Sequence, residues 1–402
     1  MGYDVNAVRD RYPALTDGWA YLDGAAGTQV PRTVIEAEAR AYSRGIGNHG
    51  GFFAASRHAD EHTRDARAAV VDLLGAPSPD GVALGPSMTA LTYRFADGLA
   101  KTWREGDEIV VTRLDHEGNV RPWVQAAGRA GVTVRWADPV LPELELPAEA
   151  VTSLLTERTR LIALTAASNV VGTRPDVRWV ADAAHGVGAL VYVDGVHATP
   201  HGPVDITELG ADLYATSAYK WSGPHLAAVA GDPAVLARIR PDKLASSPDT
   251  VPERFEHGTS PFAQHAGLAA AVDHLAGLAD PDPALPRRDR ILASLDAVAD
   301  HEAALLQRML AGIGGMDHVE RIGSPARLAP TVWFRVRGLD PDEVARRCAA
   351  AGVNVWSGHN YAWELAGLLG IRDSGSAVRA SVSCYTSGED VDRLLDVLAG
   401  LG

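Results

Sequence analysis

The sequence predicts an α/β fold in two parts. The large domain is built on a mostly parallel, doubly wound sheet with helices on both faces, and a smaller α+β domain follows it. Three observations predict this. Apolar runs alternate with Ala-rich, helix-like stretches between residues 107 and 231, the pattern of parallel strands joined by crossover helices. Asp and Pro then accumulate around Ala279 to Arg287, ahead of a helical stretch from Arg288 to Gly312. Beyond it, Thr331 to Arg337 alternates apolar and polar residues, as a half-buried antiparallel strand should.

Taken in order, residues 1–18 read as an N-terminal segment that packs on the small domain, 19–285 as the large domain and 286–402 as the small one. In Gly85-Pro86-Ser87-Met88-Thr89 a turn feeds a helix start. The strands of the large domain are expected at Asp107 to Leu114, Val132 to Ala137, Arg160 to Thr165, Leu190 to Asp194, Asp212 to Ser217 and Ala227 to Gly231. Ile239 to Phe262 carries Pro241, Pro248, Pro252 and Pro261 with little periodicity and reads as an ordered loop, a kind of segment that is often functional. Ala377 to Ser383 reads as a second strand of the small domain.

Composition narrows the function. At 402 residues and 46% hydrophobic content the chain can bury a large core. Its net charge of −14 argues against a nucleic-acid or anionic-membrane surface, which needs clustered positive charge. No stretch approaches the length of unbroken apolar residues that a membrane span requires, and the start has no signal pattern. Cys348 and Cys384 make neither a disulfide framework nor a zinc site. A cytoplasmic enzyme without a metal is the expectation.

The chemistry is read from a lysine. Only Lys101, Lys220 and Lys243 occur, and Lys220 stands in Ser217-Ala218-Tyr219-Lys220-Trp221-Ser222-Gly223-Pro224, just after an apolar run. A lysine amine, unlike a guanidinium, can lose its proton and attack a carbonyl. Taken alone, a Lys at a strand end facing water is as ordinary a reading. Upstream, Leu190-Val191-Tyr192-Val193-Asp194-Gly195-Val196-His197 reads as a buried strand ending in a carboxylate, where an open α/β sheet holds its ligand. Pyridoxal phosphate needs both partners, an amine for its aldehyde and an anion to keep its ring nitrogen protonated. Lys220 and Asp194 supply them. Alone, Asp194 would be read as a turn or helix-cap residue.

With Tyr21-Leu22-Asp23-Gly24-Ala25-Ala26-Gly27-Thr28 near the start and Arg379-Ala380-Ser381 near the end, the chain resembles the pyridoxal-phosphate-dependent class V aminotransferase family, and within it the cysteine desulfurase-like proteins. The resemblance implies fold type I, with a seven-stranded type of central sheet. It makes Lys220 the amine that bonds the cofactor, Asp194 the partner of the ring nitrogen and His116 a ring stacked on the cofactor. His197 and Asn169 become neighbours of the phenolic oxygen. Ser87, Met88, Thr89 and Ser217 become phosphate contacts. It also implies a homodimer in which Thr259, in Glu256-His257-Gly258-Thr259, reaches the phosphate of the other subunit. Arg379 resembles the arginine that holds a substrate α-carboxylate.

The pattern breaks in one loop. Desulfurases of this type carry a nucleophilic Cys after Gly-His-His, whereas this chain has Ser357-Gly358-His359-Asn360-Tyr361-Ala362, with Tyr361 at the Cys position and Trp356 where an arginine often stands. Persulfide relay is therefore not expected, and both cysteines read as small buried hydrophobes. Tyr361 is a candidate general acid or base, or a ring packed over the pocket. His49, between Gly47 and Phe53, is a further candidate for the substrate. The expected function is a β-eliminating C–S lyase acting on cysteine or an S-conjugated cysteine bonded to the cofactor. Class V aminotransferase, epimerase or decarboxylating deaminase chemistry stays open, as does a non-catalytic binding protein of this fold.

Overall fold

The computed structural model describes residues 3–402, so Met1 and Gly2, at the head of the expected N-terminal segment, lie outside the described residues. Its strands, in chain order, are β1 (Ala20–Tyr21), β2 (Val82–Gly85), β3 (Glu108–Thr112), β4 (Thr133–Ala137), β5 (Thr159–Thr165), β6 (Leu190–Asp194), β7 (Leu213–Ser217), β8 (Ala227–Gly231), β9 (Val319–Arg321), β10 (Thr331–Val336), β11 (Val353–Asn354), β12 (Trp356–Gly358) and β13 (Ala377–Ser381). The central sheet has seven strands in the order β2-β8-β7-β6-β5-β3-β4. Strands β3 to β7 pair in parallel, while β8 runs antiparallel to β7 and β2 antiparallel to β8.

Every apolar run expected in the large domain is a strand. β2 is additional: four residues are too few to show a period, and its place follows from pairing with β8 at one end of the sheet. Alternation along the strands divides the core into two layers. Ile109, Val111, Leu161 and Ala163 face one cluster, which contains Phe95 and Trp123 of the helices on that side. Val110, Ile162, Leu164 and Val193 face the other, with Val70, Val180 and Ala184. A sheet buried on both faces needs apolar residues at successive positions, which is why these strands read as continuous runs.

The small domain holds a four-stranded antiparallel sheet in the order β12-β13-β10-β9. Here β10 departs from the expected half-burial, since only Arg335 of its six residues is not buried. Val332, Phe334 and Val336 enter the small-domain core. Trp333, on the opposite face, joins the main core instead. The Arg287–Gly314 helix joins the two domains: Ile291, Leu295 and Val298 pack in the main core, and Leu305, Met309 and Ile313 in the small-domain core. The N-terminal segment likewise touches both. Val8, Tyr12 and Leu15 lie in the main core, while Arg9 pairs with Asp390 of the C-terminal helix at 2.7 Å.

Candidate active site

Thr165, Asp194 and Ser217 end three neighbouring parallel strands, β5, β6 and β7, and the turn after β3 brings His116 beside them. These ends border a cavity of about 480 Å³, lined by nine of the expected residues: Ser87, Met88, Thr89, His116, Asn169, Asp194, His197, Ser217 and Lys220. It continues into a cleft of about 1600 Å³, where Arg379, Trp356 and Tyr361 join His116, Asn169 and Lys220. The site therefore lies between the domains, at the carboxyl ends of parallel strands, as expected of an open α/β sheet.

Lys220 closes a single 3₁₀ turn, Ala218–Lys220, directly after β7. Its side chain is 6% exposed, and Nζ donates to the carbonyl of Ala25 in the N-terminal signature. Burial, aided by the Arg379 charge and opposed by Asp194, lowers the amine to about 7. A neutral amine is thus available near neutral pH, as nucleophilic attack requires. Uptake of pyridoxal phosphate by the apoprotein should accelerate as pH rises towards about 7 and level off above it, because only the unprotonated amine attacks. Stopped-flow absorbance across a pH series checks this, and a rate that falls over that range contradicts it.

Asp194 is buried at the end of β6, where its Oδ1 accepts from Val196 N at 2.9 Å. Burial raises its carboxyl to about 6, against the lowering effects of that bond and of Lys220. A cation placed beside it would restore the anion. The following residue must be glycine, because a Cβ at Gly195 would fall 1.8 Å from Cζ of Tyr214.

His116 caps its own turn, with Nδ1 accepting from Gly118 N at 2.9 Å, so its proton sits on Nε2. Burial first, then Lys220 and Arg379, lower it to about 3 and leave the ring neutral. The turn is fixed by Asp115, a residue that the motif reading did not single out. Asp115 accepts from Thr112 Oγ1 and from Asn119 Nδ2, the latter at 2.6 Å. His197 is kept neutral in the same way, and its Nε2 meets Thr331 Oγ1 at 3.0 Å. Arg379 is buried and donates from Nη1 to Asn169 O at 3.1 Å. Burial lowers it to about 10, against the opposing charge of Asp23, so it remains a cation.

The donor set fits pyridoxal phosphate. His197 Nδ1 is buried beside the cavity with no hydrogen-bond partner and can donate, and Asn169 Nδ2 carries a second N–H beyond the one it gives to Asn360 O. Ser87 Oγ caps the Met88–Ala100 helix by accepting from Ala90 N at 3.2 Å, which leaves its own proton and the first N–H groups of that helix for a phosphate. Asn169, expected as a neighbour of the phenolic oxygen, also donates from Nδ2 to Asn360 O at 2.8 Å.

Two expected residues do not reach this cavity within the chain. His49 and Thr259 line a separate groove of about 1220 Å³ that contains neither Lys220 nor Asp194. The His49 ring instead packs near Phe262, 6.2 Å between centroids. Glu256, just before Thr259, is held by Arg67 Nη2 at 2.9 Å and by Leu84 N at 2.8 Å, so this segment runs beside β2. Cys348 and Cys384 are buried outside the cleft, and burial raises their thiols to about 11 and about 12.

Comparisons with known proteins identify the family and the fold. The family model described as aminotransferase class-V matches residues 20–394. An uncharacterized protein of Mycobacterium tuberculosis is 33% identical over 100% of both chains. A probable cysteine desulfurase of Halalkalibacterium halodurans is 31% identical over 93% of this chain and 91% of its own. The solved cysteine desulfurase CsdA of Escherichia coli, 26% identical, superposes with a TM-score of 0.87 over 100% of this chain and 99% of that one. The chain belongs to the class-V aminotransferase family and is a pyridoxal-phosphate-dependent enzyme of fold type I.

Proposed function

We propose that the enzyme cleaves a C–S bond by β-elimination from cysteine or an S-substituted cysteine. One observation carries the reading: the small-domain turn that crosses the cleft at His116 presents the phenol of Tyr361, with ring centroids 5.1 Å apart, and no thiol. Both cysteines are buried elsewhere with raised pKa values, which leaves no ready acceptor for a persulfide.

In this reading Lys220 bonds the cofactor aldehyde and Asp194 faces the ring nitrogen. His116 covers one ring face, and Asn169 and His197 flank the phenolic oxygen. Ser87, Met88, Thr89 and Ser217 hold the phosphate. Pyridoxal phosphate, when bound, supplies the electron sink for the pair left at Cα. Arg379 holds the α-carboxylate and so orients the substrate. The substrate amine would displace Lys220 from the cofactor aldehyde, and the freed Nζ would take the Cα proton as the Cβ–S bond breaks and sulfur leaves as a thiolate that is then protonated. The remaining fragment and one water give pyruvate and ammonia. Trp356, paired with Arg379 across β12 and β13, walls the side-chain end together with Tyr361. The aromatic width of this end suits an S-substituent larger than hydrogen.

Thr259 completes the phosphate site from a second copy of the chain. What supports a homodimer is the apolar surface around the His49 groove, where Phe52 is 99% exposed and Leu244 70%. Incubating the holoenzyme with cysteine, S-substituted cysteines and other amino acids tests the function. The expected products are pyruvate and a thiol in equal amounts, unchanged in the Cys348→Ala, Cys384→Ala double variant. A keto acid formed while the cofactor converts to its amine form would establish transamination instead. Loss of sulfur release in the double variant would restore a persulfide route.

A further inference from the structure

The small-domain turn Gly358–Tyr361 has a backbone form that residues with a Cβ avoid. Asn360 has φ of 48° and Tyr361 of 61°, two successive left-handed residues. Bonds within the turn shape it: Asn360 Nδ2 donates to Gly358 O at 2.9 Å and Tyr361 N to His359 Nδ1 at 3.0 Å. Two more reach it from the large domain. Asn169 Nδ2 donates to Asn360 O and Glu117 N donates to Tyr361 O, both at 2.8 Å. These contacts flank the cofactor cavity, because Asn169 lines it and Glu117 follows His116.

A side-chain amide is nearly symmetric in shape, so its partners decide which end is oxygen and which is nitrogen. Asn169 Oδ1 is buried without a partner and sets nothing. Asn360 O is a pure acceptor, so only the NH₂ end can face it. One N–H is used there, and the second makes no hydrogen bond within the chain.

We propose that Asn360 is a positioning residue for the cofactor site: its left-handed backbone turns a carbonyl onto Asn169 and fixes the orientation of the amide that meets the cofactor's phenolic oxygen. The small domain thereby tunes a site held mainly by the large one. The proposal rests on the reading of Asn169 as a neighbour of that oxygen.

The test is the pH midpoint of the visible cofactor band in the holoenzyme, a spectroscopic quantity separate from turnover. Asn360→Pro locks φ near −65° and cannot form the turn, whereas Asn360→Gly loses the bond to Gly358 O but takes the same positive φ without strain. A lost hydrogen bond to a charged oxygen should raise the midpoint by about one unit in Asn360→Pro and in Asn169→Ala. Asn360→Gly should match the unaltered enzyme, and Asn169→Ala combined with Asn360→Pro should shift no further than Asn169→Ala alone. An unmoved midpoint in Asn360→Pro alongside a shift in Asn169→Ala overturns the role of Asn360, as do additive shifts in the double variant. An unmoved midpoint in Asn169→Ala removes Asn169 from the oxygen, and the proposal with it. Should the proline variant fail to fold, Asn360→Val, which disfavours the same φ without forbidding it, should give a smaller shift of the same sign, and no shift there also overturns the role.

Discussion

Lys220→Ala is expected to lower turnover by at least about 10³-fold, because one amine both bonds the cofactor and moves the Cα proton, and positioned proton transfer alone contributes about 10²–10⁴-fold. Asp194 and the start of the Met88–Ala100 helix stay in place in this variant, so weak cofactor binding should persist. Lys220→Arg should be equally inactive, since a guanidinium neither attacks an aldehyde nor accepts a proton at working pH. Pyruvate release with the visible spectrum reads both effects. Turnover within tenfold of the unaltered enzyme would mean that another group does this work.

Arg379→Ala should lower kcat/KM by about 10²–10³-fold, the loss expected when charge-assisted hydrogen bonds to an α-carboxylate are removed. The sheet register explains how this arginine is held, for it stands between Trp333 on β10 and Trp356 on β12 at paired positions. Only Nη1 is anchored, on Asn169 O, and buried Nε has no partner, which leaves much of the fork for a ligand. Arg379→Lys should recover little, because an ammonium cannot make the bidentate contact. A second readout separates binding from folding damage. Arg379 helps hold the Lys220 amine down, so its removal should move the midpoint for cofactor uptake above about 7. Unchanged kcat/KM in both variants would put the carboxylate elsewhere.

The parts of this site that were legible in the sequence are those fixed by strand ends. Lys220, Asp194, Ser217 and His116 each follow an apolar run, and a parallel sheet gathers such ends at one edge regardless of side-chain detail. β2 escaped because four apolar residues next to a turn carry no period, and β10 reads as half-buried because its second face, through Trp333, joins a main core built from residues far away in the sequence. The left-handed pair at Asn360 and Tyr361 left no mark either. Asn tolerates that conformation without requiring it, Tyr rarely adopts it, and two of the bonds that hold the turn come from Asn169 and Glu117, some two hundred residues away. The local Gly-rich setting of His49 does not show which groove it lines, because that groove is completed by distant residues such as Arg67 and Phe262.

The most direct test of the account is to reduce the holoenzyme with borohydride, digest it and locate the modified lysine by mass spectrometry. The cofactor is expected on Lys220 alone, with its peptide spanning the turn after β7. Label on Lys101 or Lys243, or a protein that takes up no cofactor, would contradict it.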